Sequence, residues 1–114
     1  LHTYRVTESP YVIDAKHWDT SKEHSEYFTI SVRNYGHYKM NFKMKSDLTN
    51  MAQLPLTIYL DDEMKAMVSV QGSEGQWIKA SADIGHIAGS HHYVKIYFGQ
   101  SGLFVDSVSL ELVD

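Results

Sequence analysis

The stretch "HYKMNFKMK", residues 37 to 45, decides the fold. Tyr38, Met40, Phe42 and Met44 fall at every second position, with His37, Lys39, Asn41, Lys43 and Lys45 between them. Successive side chains of a strand point to opposite faces, so this period predicts a half-buried strand with an apolar inner face and a cationic outer one. The same alternation recurs on both sides. In "YFTISV" (27–32), Phe28, Ile30 and Val32 point inward, and in "SHHYVKIYF" (90–98) the inward set is Val94, Ile96 and Phe98. "DSVSLEL" (106–112) turns Val108, Leu110 and Leu112 to the core, and "PYVID" (10–14) reads as the first strand. "LTIYLDDEMKAMVSV" (56–70) reads as a hairpin: Leu56, Ile58 and Leu60 lead into an acidic turn at 61–63, and Ala66, Val68 and Val70 return. The seven glycines fall between these runs, and "SDLTNMAQ" (46–53) reads as a loop with a helical turn. With no long amphipathic helix, the pattern predicts an all-β sandwich of two antiparallel sheets with about eight strands.

Bulk properties narrow the function. A chain of 114 residues that is 43% hydrophobic fits one domain spanning 1–114. A formal charge of −4 speaks against nucleic acid as a partner, and no apolar run is long enough to cross a membrane. There is no cysteine, which excludes disulfide scaffolds and thiol chemistry. The start at Leu1 is read as the edge of a monomeric module cut from a longer protein.

"GSEGQWIKASADIG" (72–85) raises the functional question. Ile78, Ala80, Ala82 and Ile84 alternate inward, which leaves Trp77 on the outer, polar side with Lys79, Ser81 and Asp83. Glu74 and Gln76 flank it, and Gly72 and Gly75 let the loop come close to a ligand. A pyranose lays its axial C–H bonds on an aromatic face while its equatorial hydroxyls reach sideways to amides and carboxylates, so an exposed tryptophan with polar neighbours is sugar-binding chemistry.

From Asn34 onward the order of the pieces resembles the carbohydrate-binding modules of families 6 and 35, which are β-jelly rolls. The likeness rests on "NYGHYKMNFKM", the hairpin "LTIYLDDEMKAMVSV", the glycine-tryptophan turn "GSEGQWIKASADI", the Ala-Gly-x-His strand "IAGSHHYVKIYF" and the closing "SGLFVDSVSLEL". It implies a noncatalytic module of a secreted protein that holds a linked glycoside hydrolase on a polysaccharide. Trp77 takes the place of the family's stacking tryptophan. Trp18, in "DAKHWDTSKEHSEY", is matched to the tyrosine that clamps the sugar from the opposite side. Phe104 stands where the family has an asparagine, so either it packs inward and Gln100 or Ser101 takes the polar role, or binding moves to the sheet face that carries the lysine row. That row suits a uronate or sulfated glycan, or simply keeps the face solvated. The family's structural calcium implies Asp14 and Asp106 as metal ligands, with Asp106 on the inward side of its strand beside Val108. Lys16, where the family has a second acidic residue, instead offers direct pairing with a carboxylate.

Seven histidines lack zinc-ligand spacing, and His91 and His92 are expected on opposite faces of one strand. Glycoside hydrolysis needs two carboxyls facing across a cleft, whereas Asp61 and Asp62 are adjacent in a turn and diverge, so no catalytic pair is assigned. The ligand expectation is a neutral β-glucan, with xylan, mannan and algal galactans compatible. The competing expectation is an adhesion domain, in which Trp77 and Trp18 are buried or meet protein.

Overall fold

A computed structural model describes residues 1–89 and 91–113; Ser90, the variable position of the Ala-Gly-x-His motif, and Asp114 lie outside the described residues. The chain forms β1 (Thr3–Val6), β2 (Tyr11–Asp14), β3 (His24–Val32), β4 (Gly36–Ser46), β5 (Gln53–Leu60), β6 (Glu63–Gln71), β7 (Ile78–Ile87), β8 (His92–Phe98) and β9 (Leu103–Leu112). They make a five-stranded sheet in the order β1-β3-β8-β5-β6 and a four-stranded sheet in the order β2-β9-β4-β7, stacked as a β-sandwich. All pairings are antiparallel except β1 with β3, which is parallel. The strand beyond the expected eight is β1. Its "TYRV" buries only Val6 fully, too short a pattern to show in sequence.

The core is the alternation made solid. Tyr38, Met40, Phe42 and Met44 of β4 are buried against Phe28 and Ile30 of β3, Leu56 and Ile58 of β5, and Val94, Ile96 and Phe98 of β8. Each fully buried aliphatic or aromatic side chain contributes about 1.5–3 kcal/mol. The hydroxyl of buried Tyr38 donates to the Asn34 carbonyl at 2.6 Å, which removes the cost of an unpaired polar group.

The hairpin β5–β6 turns at Asp61 and Asp62, both at positive φ (53° and 67°), as a two-residue turn matching the strand twist requires. Asp61 is also anchored: its N–H donates to the Tyr93 carbonyl and its carboxylate accepts the Tyr93 N–H, each at 2.8 Å. His91, at φ 64°, precedes β8 rather than lying in it. Residues 47–52 form a loop closed by a bond from the Ala52 N–H to the Thr49 carbonyl, with no helical turn.

Two irregularities aim the outer face of the four-stranded sheet. Tyr38 pairs with Gly85 but Lys39 with Asp83, and Lys43 pairs with Ser107 but Met44 with Val105. Asp106 is therefore the extra residue of a bulge, which flips the inside–outside parity between Val105 and Val108. This corrects the expectation that Asp106 faces the core with Val108 and Leu110. It also turns Phe104 outward, 43% exposed, rather than inward.

Candidate functional site

The outer face of the four-stranded sheet reads as rows across its strands. Phe104 of β9 pairs with Lys45 of β4, Lys43 pairs with Lys79 of β7, and Asn41 sits between Ser109 and Ser81. Trp77 directly precedes β7, so the register that pairs Lys43 with Lys79 brings it beside Lys45. The Nζ atoms of Lys45 and Lys43 lie 5.0 and 5.6 Å from its ring centroid. Trp77 is 49% exposed. The loop site and the sheet-face site, alternatives in the sequence, are thus neighbours on one surface.

A groove of about 420 Å³ runs over this face from Lys43 and Lys79 to Glu111, walled by Pro10 and the exposed Val12. Its floor is polar and ordered. The Asn41 amide donates to Glu111 Oε1 at 3.0 Å and accepts from the Ser81 hydroxyl at 2.6 Å. Lys39 meets Glu111 at 3.7 Å, and His37 meets Asp83 at 2.6 Å beyond it. Such a row of amide, hydroxyl and carboxylate groups can exchange hydrogen bonds with equatorial sugar hydroxyls, while the exposed rings of Trp77, near Lys43 and Lys45, and of Phe104, paired with Lys45, lie on the same sheet face outside the groove lining. Ser109 and Glu111 were missed in the sequence, although each holds an outward position of an alternating strand, and Ser81 was placed on the outer face with Trp77 without being given a role.

The turn before Trp77 is held by its own backbone. The Glu74 N–H donates to the Leu48 carbonyl at 3.0 Å, the Gly75 N–H to the Ser46 carbonyl at 2.7 Å, and the Ser73 hydroxyl to the Gln76 carbonyl at 2.6 Å. A Cβ on Gly72 would lie 2.0 Å from the Thr49 carbonyl oxygen, so that glycine serves close approach to this chain's own loop and not to a ligand. Gly75 is needed for φ +84°. Glu74 and Gln76 are exposed beside Trp77.

Other expected residues fall elsewhere. Trp18 is buried, 8% exposed, with its ring 6.2 Å from Phe28 and 6.1 Å from Phe98. It is a core residue and cannot clamp a sugar against Trp77. Gln100, between β8 and β9, donates its amide to the carbonyl of Gln53 at the start of β5, at 2.8 Å.

The residues expected to hold calcium do not fit it. The Nζ of Lys16 lies 3.3 Å from Asp106 and 3.7 Å from Asp14, so an ammonium already bridges the two carboxylates. Asp14 also accepts the Lys16 N–H at 3.0 Å, and this bond holds its carboxyl below the usual range. Bonding to Asp106 raises Lys16, which keeps it a cation. A dication here would face that ammonium at close range with only two carboxylates around it, and among the described residues no cluster of three or more acidic or imidazole ligands occurs.

No family model and no curated protein matches the chain. Solved structures do, at low identity. The chain superposes on the carbohydrate-binding module CBM6cm-2 from Cellvibrio mixtus lichenase 5A, solved with cellotriose, with TM-score 0.68 and 11% identity over 94% of this chain and 100% of that one. A family 35 carbohydrate-binding module from Clostridium thermocellum gives 0.67 and 10% identity over 93% and 90%. A β-glucosidase from Paenibacillus barengoltzii gives 0.72 and 15% identity over 96% of this chain, which spans 11% of the enzyme. Superposition at TM-scores of 0.67–0.71 over nine-tenths or more of this chain and of each isolated module gives it the β-sandwich fold of the CBM6 and family 35 carbohydrate-binding modules.

Proposed function

We propose that the chain is a noncatalytic polysaccharide-binding module of a secreted protein, which keeps a linked glycoside hydrolase at its substrate. The observation that carries this reading is Trp77, half exposed beside Lys43 at 5.6 Å, where Lys43 itself lines a groove floored by hydrogen-bonding side chains. A pyranose stacks on the indole and the following residues lie along Asn41, Ser81 and Ser109. The ligand is a β-glucan or a related plant or algal polysaccharide, since these present the equatorial faces an indole selects. The fold match to a module solved with cellotriose supports a glucan-like chain.

One such module should bind in the micromolar to millimolar range, roughly −4 to −8 kcal/mol. Affinity electrophoresis of wild type and Trp77→Ala through gels of β-glucan, xylan, mannan and agarose tests the site. Retardation of the wild type that the variant loses is the expected result. Retardation undiminished in Trp77→Ala removes Trp77 from the site, and none on any gel favours an adhesion domain.

A further inference from the structure

Lys43, Lys45 and Lys79 gather at the Trp77 end of the groove. Among the described residues none of them reaches a carboxylate, as also holds for Lys22 and Lys95, whereas Lys16 bridges two and Lys39, in the same β4 row, and Lys65 meet one each. Carboxylates are not scarce, because the chain carries 14 acidic against 10 basic residues. Glu74 and Asp47 belong to the adjoining loops and make no ion pair with the three lysines, and Glu111 is engaged by Asn41 and Lys39. Lys43 and Lys79 stand directly opposite across β4 and β7, a like-charge pair that weakens a sheet. Two of the ammonium groups hang over the Trp77 ring, which holds them beside the surface where a sugar would stack.

We propose that this end of the groove is built for an anionic polysaccharide: a pyranose stacks on Trp77 while its carboxylate or sulfate ester is taken by Lys43, Lys45 and Lys79. The inference rests on the polysaccharide reading above and adds the charge of the ligand. A neutral chain uses the indole and the polar floor and leaves three crowded cations solvated. An acidic chain relieves their repulsion and gains charge-assisted hydrogen bonds.

Isothermal titration decides it, with a neutral β-glucan, polygalacturonate, a carrageenan and polyglutamate as probes at about 20 and about 500 mM NaCl. One acidic polysaccharide is expected to bind at least about tenfold tighter than the β-glucan at low salt and to lose that margin at high salt. Which of polygalacturonate and carrageenan holds the margin separates carboxylate from sulfate. Lys43→Gln/Lys45→Gln/Lys79→Gln should abolish the margin, and Trp77→Ala should abolish binding of the acidic chain altogether. Equal affinity for neutral and acidic polysaccharides, a margin that survives the triple variant, or equally tight binding of polyglutamate, which has no pyranose, would each overturn the proposal while leaving the neutral-glucan reading in place. Binding of none of the four defeats both.

Discussion

The two tryptophans carry the same side chain to opposite ends of the energy scale. Trp18 follows a tight turn in which its N–H donates to the Ala15 carbonyl at 3.1 Å, and that turn drops the ring between Phe28 and Phe98. Trp77 is carried past the sheet edge by a turn pinned to residues 46–48 and stays in solvent under two lysines. Nothing local in "DAKHWDT" distinguishes a core ring from a clamp, because the deciding contacts come from β3 and β8, far away in sequence. Lys16 is the opposite case, since a lysine within two positions of Asp14 is legible as a carboxylate partner. Its ammonium between Asp14 and Asp106 predicts that a chelator leaves the melting temperature of protein prepared with added calcium unchanged, and that Lys16→Ala lowers it slightly because two carboxylates lose their cation. Differential scanning calorimetry with and without a calcium-selective chelator checks this. A fall in melting temperature on chelation, with calcium found by elemental analysis, would restore a metal to the pair.

Among the elements, the β5–β6 hairpin shows best how a turn without glycine is held. Asp61 and Asp62 tolerate positive φ, and Asp61 is tied to β8 by Tyr93 and by the His92 imidazole, whose Nδ1 lies 2.7 Å from its carboxylate. The other ring nitrogen of His92 lies 2.6 Å from the Ala88 carbonyl, so both ring positions face acceptors and favour the imidazolium. Burial, the largest single influence, lowers His92, but the bond to Asp61, the bond to the Ala88 carbonyl and the Asp61 charge together outweigh it and raise the ring above its ordinary 6.5. Burial likewise pushes Asp61 up, while His92 and the Tyr93 N–H bring it below its ordinary 3.8. A raised imidazole contributes fully below pH 6.5 and loses its contribution as pH rises through the folded value. A lowered carboxyl contributes fully above pH 3.8 and loses it as pH falls through its own folded value. The pair is therefore at full strength between those limits. The gap in melting temperature between wild type and His92→Gln should be wider at pH 5.5 than at pH 9. An equal gap at both would show that the imidazole holds the turn without its charge. The turn's position was legible from the acidic break between two alternating runs, but its tie to β8 was not, because that tie joins residues some thirty positions apart.

At the level of the whole molecule, period-two alternation was enough to predict a sandwich, since every strand with four or more alternating apolar residues was found where the pattern put it. What escaped was whatever depends on register. The bulge at Asp106 changes which residues of β9 face out, so the outward turn of Phe104 and the exit of Asp106 from the core could not be read from parity alone. The groove escaped for the same reason, because Asn41, Ser81 and Ser109 become one floor only once β4, β7 and β9 are aligned. The core is less sensitive to such slips. The inner faces of both sheets belong to a single buried cluster, with Met40 of the four-stranded sheet and Ile96 of the five-stranded sheet both fully buried in it. Neither sheet can shed water from its inner face without the other, so residues 1–114 should unfold as one cooperative unit. Met40→Ala and Ile96→Ala each leave a cavity and should cost about 2–5 kcal/mol. For a chain of this size a loss of that order lowers the melting temperature by about 4 °C per kcal/mol. Calorimetry should therefore show one transition in the wild type, moved down as a whole by either substitution, with calorimetric and van't Hoff enthalpies equal. Two separable transitions, one sensitive only to Met40→Ala and the other only to Ile96→Ala, would mean that the sheets are stabilised independently and that the shared interior does not make them one domain.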